Sequence, residues 1–160
     1  MKLIFKQKAF SWLGAYEITD EKGNIVFRVK GQPSLTRTLF IYAADGNYLG
    51  KITEKMISIT PHYKMYEGDR EIGEVVKEIS LARPKFSLDF NDWRMTGDMF
   101  KMNYKISDGG SLVMNAHKRA LRVIDEVYEL EVENPQDALY CVMIMLAMDA
   151  AKEKKEKQSK

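Results

Sequence analysis

Apolar positions along most of this chain recur at every second residue. Ile25, Phe27 and Val29 share one parity after the turn at Asp20 to Asn24, and Leu39, Ile41 and Ala43 repeat the pattern. Asp45-Gly46-Asn47 then turns the chain into Tyr48 to Ile52. Further alternation follows at Ile57 and Ile59, at Tyr63 and Met65, and from Ile72 to Val76 beyond the turn at Glu67 to Asp69. Phe86, Leu88 and Phe90 alternate, as do Phe100, Met102, Tyr104 and Ile106. Asp108-Gly109-Gly110 is a hairpin signal, Leu112 to Met114 returns from it, and Tyr128, Leu130 and Val132 form the last alternating run. A period of two is the mark of a half-buried strand, and Gly/Asp/Asn turns this frequent predict an antiparallel meander. The turns at Asp20, Asp45 and Asp69 recur at 25 and 24 residues, so hairpin units repeat in pattern though not in identity.

The C-terminal region breaks this period. Ala138 to Met148 is a run of eleven apolar residues. At about 3.6 residues per turn it predicts a helix with no polar face, which protein or lipid must enclose. A membrane-spanning helix needs roughly 20 apolar residues, and this run stops at Asp149. Asn134 is suited to cap the helix, Pro135 to its first position and Asp137 to its third. About ten to twelve strands in one small domain expose edges unless the sheet closes, and a closed sheet needs a filler. The expected fold is therefore mainly β: a closed antiparallel barrel around a central C-terminal hydrophobic helix. A single domain is expected over residues 1–151. The polar stretch 152–160, with five lysines and two glutamates, is expected to extend the helix into solvent before fraying. Lys152 with Glu156 and Glu153 with Lys157 supply i,i+4 pairs for that extension.

Composition narrows the function classes. The chain has 160 residues, 45% hydrophobic and 30% charged, ordinary for a globular protein. A net charge of only +2 provides no global basic field for nucleic acid. Cys141 is the one cysteine, which excludes an intrachain disulfide and a thiolate zinc cluster. Its place in the apolar helix predicts a raised, unreactive thiol. Lys6 and Lys8 interrupt the N-terminal apolar run too early for a signal peptide. With no spanning segment either, a cytoplasmic location is expected.

Candidate chemistry is sparse. His62 and His117 lack the H-x-x-x-H or C-x-x-C company of a metal site. Asp89-Phe90-Asn91-Asp92 looks like the start of a calcium loop but lacks the glycine and distal glutamate, so it reads as a β-turn. No phosphate-cradling glycine motif and no G-x-S-x-G elbow occurs. Met143, Met145 and Met148 suit the filling of irregular gaps inside a barrel. No catalytic residue, metal site or cofactor is predicted, and a barrel filled by its own helix leaves no interior substrate cavity. One charge feature stands out: His117-Lys118-Arg119 with Arg122. On a strand, Lys118 and Arg122 share one face and His117 and Arg119 the other. In a loop they can converge on a phosphate. The plainer reading is a solvated turn whose arginines pair with Asp125 or Glu126. Lys118, Arg119 and Arg122 are thus the candidate residues for an anionic head group. The lysine tail reads first as a solvated extension; as an anchor it would supply at most a weak, salt-sensitive attraction of about 1 kcal/mol per lysine near an anionic membrane.

The segment Asp125-Glu126-Val127-Tyr128-Glu129-Leu130-Glu131-Val132, followed by Asn134-Pro135-Gln136-Asp137 and the apolar helix, resembles the C-terminus of the LURP-one-related family. That family groups with Tubby C-terminal-like proteins and is akin to phospholipid scramblases. Tyr16-Glu17-Ile18-Thr19-Asp20 with Gly23 resembles its first repeat, Phe27 to Gly31 and Ile41 to Ile52 its continuation, and Trp93 to Gly97 also fits. The resemblance runs from about Phe5 to Ala151 and implies a closed barrel of about twelve strands around a hydrophobic helix. Tubby domains bind phosphoinositides and scramblases are linked to calcium-dependent lipid movement. The scramblase proline-rich extension, cysteine cluster and spanning helix have no counterpart in this sequence, and no binding residue is transferred. The function expected is a non-enzymatic binding or scaffold domain that recognises anionic lipid head groups peripherally. The alternative is a protein-interaction module without lipid binding, and an enzyme with a rim site ranks below both.

Overall fold

The computed structural model describes residues 1–7, 15–32, 37–119 and 126–160. Its strands are β1 (Lys2–Gln7), β2 (Ala15–Thr19), β3 (Ile25–Gln32), β4 (Thr38–Ala43), β5 (Tyr48–Glu54) and β6 (His62–Glu67). They continue as β7 (Arg70–Glu78), β8 (Lys85–Asp89), β9 (Arg94–Asp98), β10 (Asn103–Asp108), β11 (Ser111–Arg119) and β12 (Glu126–Val132). The helix α1 (Ala138–Gln158) follows a 3-10 turn, Pro135–Asp137. All twelve strands belong to one sheet, ordered β8-β7-β6-β5-β4-β3-β2-β1-β12-β11-β10-β9, and every pairing is antiparallel. Sequence neighbours pair everywhere except at β8 and β9, and the β1–β12 pairing brings the ends of the meander together. This is the barrel that the alternation and the apolar helix predict.

Closure is nearly complete. Between β8 and β9 no ladder forms; a turn at residues 90–93 joins them, with Asn91 and Asp92 in the left-handed region at φ 49° and 56°. Aromatic rings fill the seam instead. Phe90 stands 5.0 Å from Trp93 and 4.9 Å from Tyr140 between centroids, and Phe86 meets Phe100 edge-on at 5.7 Å.

Inward parity holds around the barrel. Leu3 and Phe5, Leu39 and Ile41, Tyr63 and Met65, and Tyr128 and Leu130 are all buried. They enclose α1, whose side chains are buried without exception from Cys141 to Ala151. Close approach to the helix is sharpest at Gly50 of β5, where a Cβ would lie 2.1 Å from the Tyr66 carbonyl oxygen and 2.7 Å from the Met143 methyl. Only glycine lets this strand lie so near both its neighbour and the helix.

Several expectations need correction. Asn134 caps the 3-10 turn through the Gln136 amide (3.1 Å), and α1 begins only at Ala138. The enclosed stretch is therefore displaced toward the C-terminus. Leu139 and Tyr140 sit half-buried at the rim, whereas Asp149 is fully buried. Helical order runs on to Gln158, assisted by the expected Lys152–Glu156 and Glu153–Lys157 ion pairs. Ile57 and Ile59 are not in a strand. β5 stops at Glu54, the Lys55 amide closes on the His62 carbonyl at 2.8 Å, and the two isoleucines stand 92% and 95% exposed. Phe100 and Met102 precede β10 in a tight connection where Met102 has φ 52°. β1 gave no alternation signal that stood out from its charged start, yet Leu3 and Phe5 are core residues.

Candidate functional site

The two ends of the barrel differ in the chemistry of their connections. Where α1 begins, tight turns carry Asp20, Glu21, Asp45, Asp69 and Asp92, and Glu133 leads toward the helix. Two of these acids serve the turns themselves, and Glu21 lies 3.4 Å from Lys2 Nζ. Asp20 accepts the amides of Lys22 (2.9 Å) and Asn24 (2.8 Å), and Asp45 accepts that of Asn47 (3.0 Å), the Asx geometry that makes aspartate a turn residue. The Asn24 side chain, bonded to Asp20, is the main reason its carboxyl is held below the ordinary range.

Where α1 ends, the described connections are residues 55–61, 79–84 and 99–102. They carry Lys55, Arg83 and Lys101, and no aspartate or glutamate. The helix delivers Lys152, Lys154, Lys155 and Lys157 to the same end, where cations also match the helix dipole. Two of these lysines anchor it. Lys154 Nζ donates to Glu54 Oε1 at 2.7 Å, and Arg37 lies 3.5 Å from the other oxygen of this 2%-exposed carboxylate. Lys152 Nζ donates to the Tyr128 hydroxyl at 2.7 Å. Lys155 lies 4.5 Å from the centre of the Phe100 ring and Lys77 lies 5.6 Å from it, a cation–π arrangement on an aromatic residue of the rim.

A groove of about 610 Å³ opens between α1 and the 99–102 connection, lined by Phe100, Lys101, Lys152, Lys155 and Lys160. Asp98 and Glu156 also line it, each within ion-pair distance of a lysine: 3.7 Å to Lys101 and 3.9 Å to Lys152. A smaller hollow of about 250 Å³ lies between Ile59, Pro61, Lys77, Lys154 and Lys155. An apolar floor with ammonium groups on its walls is suited to an anion carrying an apolar body.

Lys118 and Arg119 close β11 at this same end, and both are exposed. Strand alternation separates them. Lys118 is the register partner of Tyr128 and has the parity of Met114 and Ala116, while Arg119, opposite Val127, shares the outer parity of His117. They therefore do not converge on one point from the strand, and Arg122 lies outside the described residues. The lysine tail that supplies Lys152, Lys155 and Lys160 was legible in the sequence, but the groove was not, because Phe100 and Lys101 join those lysines only when the barrel closes around α1.

The outer face also gathers His117, Glu129 and Glu131, with one ligand-type atom of each inside a 4.8 Å circle. Cross-strand register builds this group, pairing His117 with Glu129 and Asn115 with Glu131. A cation is already present there: Lys2 Nζ lies 3.4 Å from Glu129 and 3.9 Å from Glu131. The Glu129 contact is the leading cause of the raised affinity of Lys2 for its proton. Inside the barrel, burial pushes the Cys141 thiol up to about 12 and raises the Tyr104 phenol well above its ordinary value. His62 is engaged by Glu74. Among the described residues, no helix is long and apolar enough to cross a membrane.

No solved structure matches the chain. It is similar to the uncharacterized protein YxjI of Bacillus subtilis (strain 168), with 30% identity over 150 residues, 93% of this chain and 92% of that one. The LURP-one-related family pattern matches residues 1–149. Strand order, enclosed helix and sequence likeness agree, and the chain belongs to the LURP-one-related family.

Proposed function

We propose that this domain is a non-enzymatic, cytoplasmic module that docks peripherally on anionic membrane surfaces, with the end of the barrel where α1 emerges turned toward the head groups. The observation that carries this reading is the segregation of charge between the two ends: acid in the turns beside the start of α1, and, among the described residues, basic connections without acid together with the helix lysines at the other. Such a molecule is oriented by a negative surface before it touches it. Lys118, Arg119 and Arg122 act in this reading as outlying contacts, and the groove around Phe100 as the nearer one. The non-enzymatic part is supported by an interior occupied by α1 and by a thiol kept protonated by burial.

Vesicle co-sedimentation tests this directly. Binding is expected to phosphatidylserine-containing vesicles and not to phosphatidylcholine alone. It should weaken sharply as ionic strength approaches about 0.15 M, where the Debye length is roughly 8 Å. Each of Lys101, Lys155 and Lys118 changed to alanine should cost about fivefold in binding. Absence of binding to both vesicles would refute the reading and assign the basic end to a protein partner.

A further inference from the structure

The helix-exit end carries an apolar feature that neither the fold nor the charge pattern requires. Ile57 and Ile59 in the 55–61 connection are 92% and 95% exposed, and Ile79 and Leu81 in the 79–84 connection are 80% and 106% exposed. Scattered exposed aliphatic residues are normal on a protein surface. These four belong to two connections joined at their bases, where the Lys77 amide donates to the Pro61 carbonyl at 2.9 Å. Ser58, Thr60, Pro61, Ser80 and Pro84 already provide turn chemistry in these segments. Isoleucine and leucine add nothing to a turn, so their presence asks for another explanation.

Surroundings select the occupant. Lys55, Lys77, Lys85, Lys154 and Lys155, with Arg83, flank the two connections, and neither connection contains an acidic residue. Aliphatic tips ringed by ammonium groups match a surface with anionic head groups outside and hydrocarbon beneath. The two acids beside these connections are each paired with a lysine, Glu54 with Lys154 at 2.7 Å and Glu78 with Lys85 at 3.3 Å, and Lys55, Lys77, Lys155 and Arg83 remain as a basic excess that an apolar protein groove would not call for.

We propose that the 55–61 and 79–84 connections are paired membrane anchors: Ile57, Ile59, Ile79 and Leu81 enter the boundary between head groups and acyl chains, while the flanking lysines hold the phosphate layer. This rests on the reading that the basic end faces an anionic membrane, and adds to it a mode of attachment. The barrel itself stays outside, because α1 is committed to its core. Attachment then has two components, an electrostatic one that salt removes and an apolar one that salt leaves in place.

The test uses the burial of Cys141, which leaves an introduced surface cysteine as the reactive thiol. Ile59→Cys and Leu81→Cys are labelled with a polarity-sensitive fluorophore, and Asp69→Cys at the opposite end serves as reference. On phosphatidylserine-containing vesicles, labels at 59 and 81 should shift to the blue and be quenched by nitroxide groups on the acyl chains, and the label at 69 should not. The combined variant Ile57→Ser, Ile59→Ser, Ile79→Ser and Leu81→Ser should melt like the wild type, since these side chains are exposed. Its vesicle affinity should fall by about tenfold or more. Vesicle binding with labels at 59 and 81 still in water, or with the serine variant at full affinity, would overturn the insertion and leave the electrostatic reading standing. Binding to no vesicle at all would overturn both.

Discussion

Lys154 offers the most informative perturbation, because the sequence alone places it in a dispensable tail. In the structure its ammonium is 2.7 Å from Glu54, a carboxylate 2% exposed, with Arg37 at 3.5 Å as the other cation. Lys154→Ala leaves Glu54 inside the barrel mouth with Arg37 alone. Complete loss of a partner from a buried pair costs about 3–5 kcal/mol. Here Arg37 remains, and the Lys154 side chain is 36% exposed, so water compensates in part. The cost should approach that of one charged hydrogen bond, about 1.5–3 kcal/mol. For a chain of this size each kcal/mol corresponds to about 2–4 °C, so Tm should fall by about 3–12 °C. Circular-dichroism melts of the wild type, Lys154→Ala, Glu54→Gln and the double variant form the assay. The double variant should lose less than the sum of the singles, because the stranded carboxylate is gone. If Lys154→Ala melts within a degree of the wild type, or the two changes add, the pair does not hold the helix end and the argument fails.

Three further outcomes follow from the same structure. Ile144→Asp places a carboxylate among fully buried side chains of α1 and should abolish cooperative folding; a wild-type melt would show that α1 is not the core. Tyr140 donates to Glu67 at 2.9 Å, and this bond, ahead of Arg70, holds the Glu67 carboxyl below its ordinary value. Its contribution to stability is therefore complete above the unfolded-state value and is lost as pH falls through the lower folded value. Tyr140→Phe should flatten that acid limb, and an unchanged pH profile would refute the linkage. Melts in EDTA and in excess calcium or zinc should superimpose, because Lys2 already balances Glu129 and Glu131; a rise of several degrees with either metal would indicate a true ion site beside His117.

Much of the architecture was legible locally. Period-two runs such as Phe27–Val29 and Tyr128–Val132 need one buried face, and an eleven-residue apolar helix needs enclosure on every side, so together they demand a sheet wrapped around it. Where the alternation misled, at Ile57 and Ile59 and at Phe100 and Met102, the apolar residues belong to connections. Ile57 and Ile59 face solvent, whereas Phe100 and Met102 pack on the core from a turn, and a period-two pattern distinguishes neither case from a strand. The helix boundaries were likewise displaced, because burial is set by where α1 sits along the barrel axis: Asp149 is enclosed and Tyr140 only half so.

The sequence by itself determined the strand-rich class, the enclosed helix, the protected thiol and the family resemblance, since each depends on residue types at short spacing. The unsealed β8–β9 seam, the Glu54–Lys154 anchor, the His117–Glu129–Glu131 group and the lysine groove around Phe100 were decided only by the tertiary structure. The last three join residues separated in the chain, and contact there depends on strand register and on how far α1 passes through the barrel; β8 and β9 are neighbours in the chain, and their failure to pair is set by the closure of the whole sheet. The division of charge between the ends combines both. Aspartate in tight turns is written in local sequence, but an antiparallel meander sends alternate connections to opposite ends, and only that topology gathers the acidic turns at one end and the basic connections at the other.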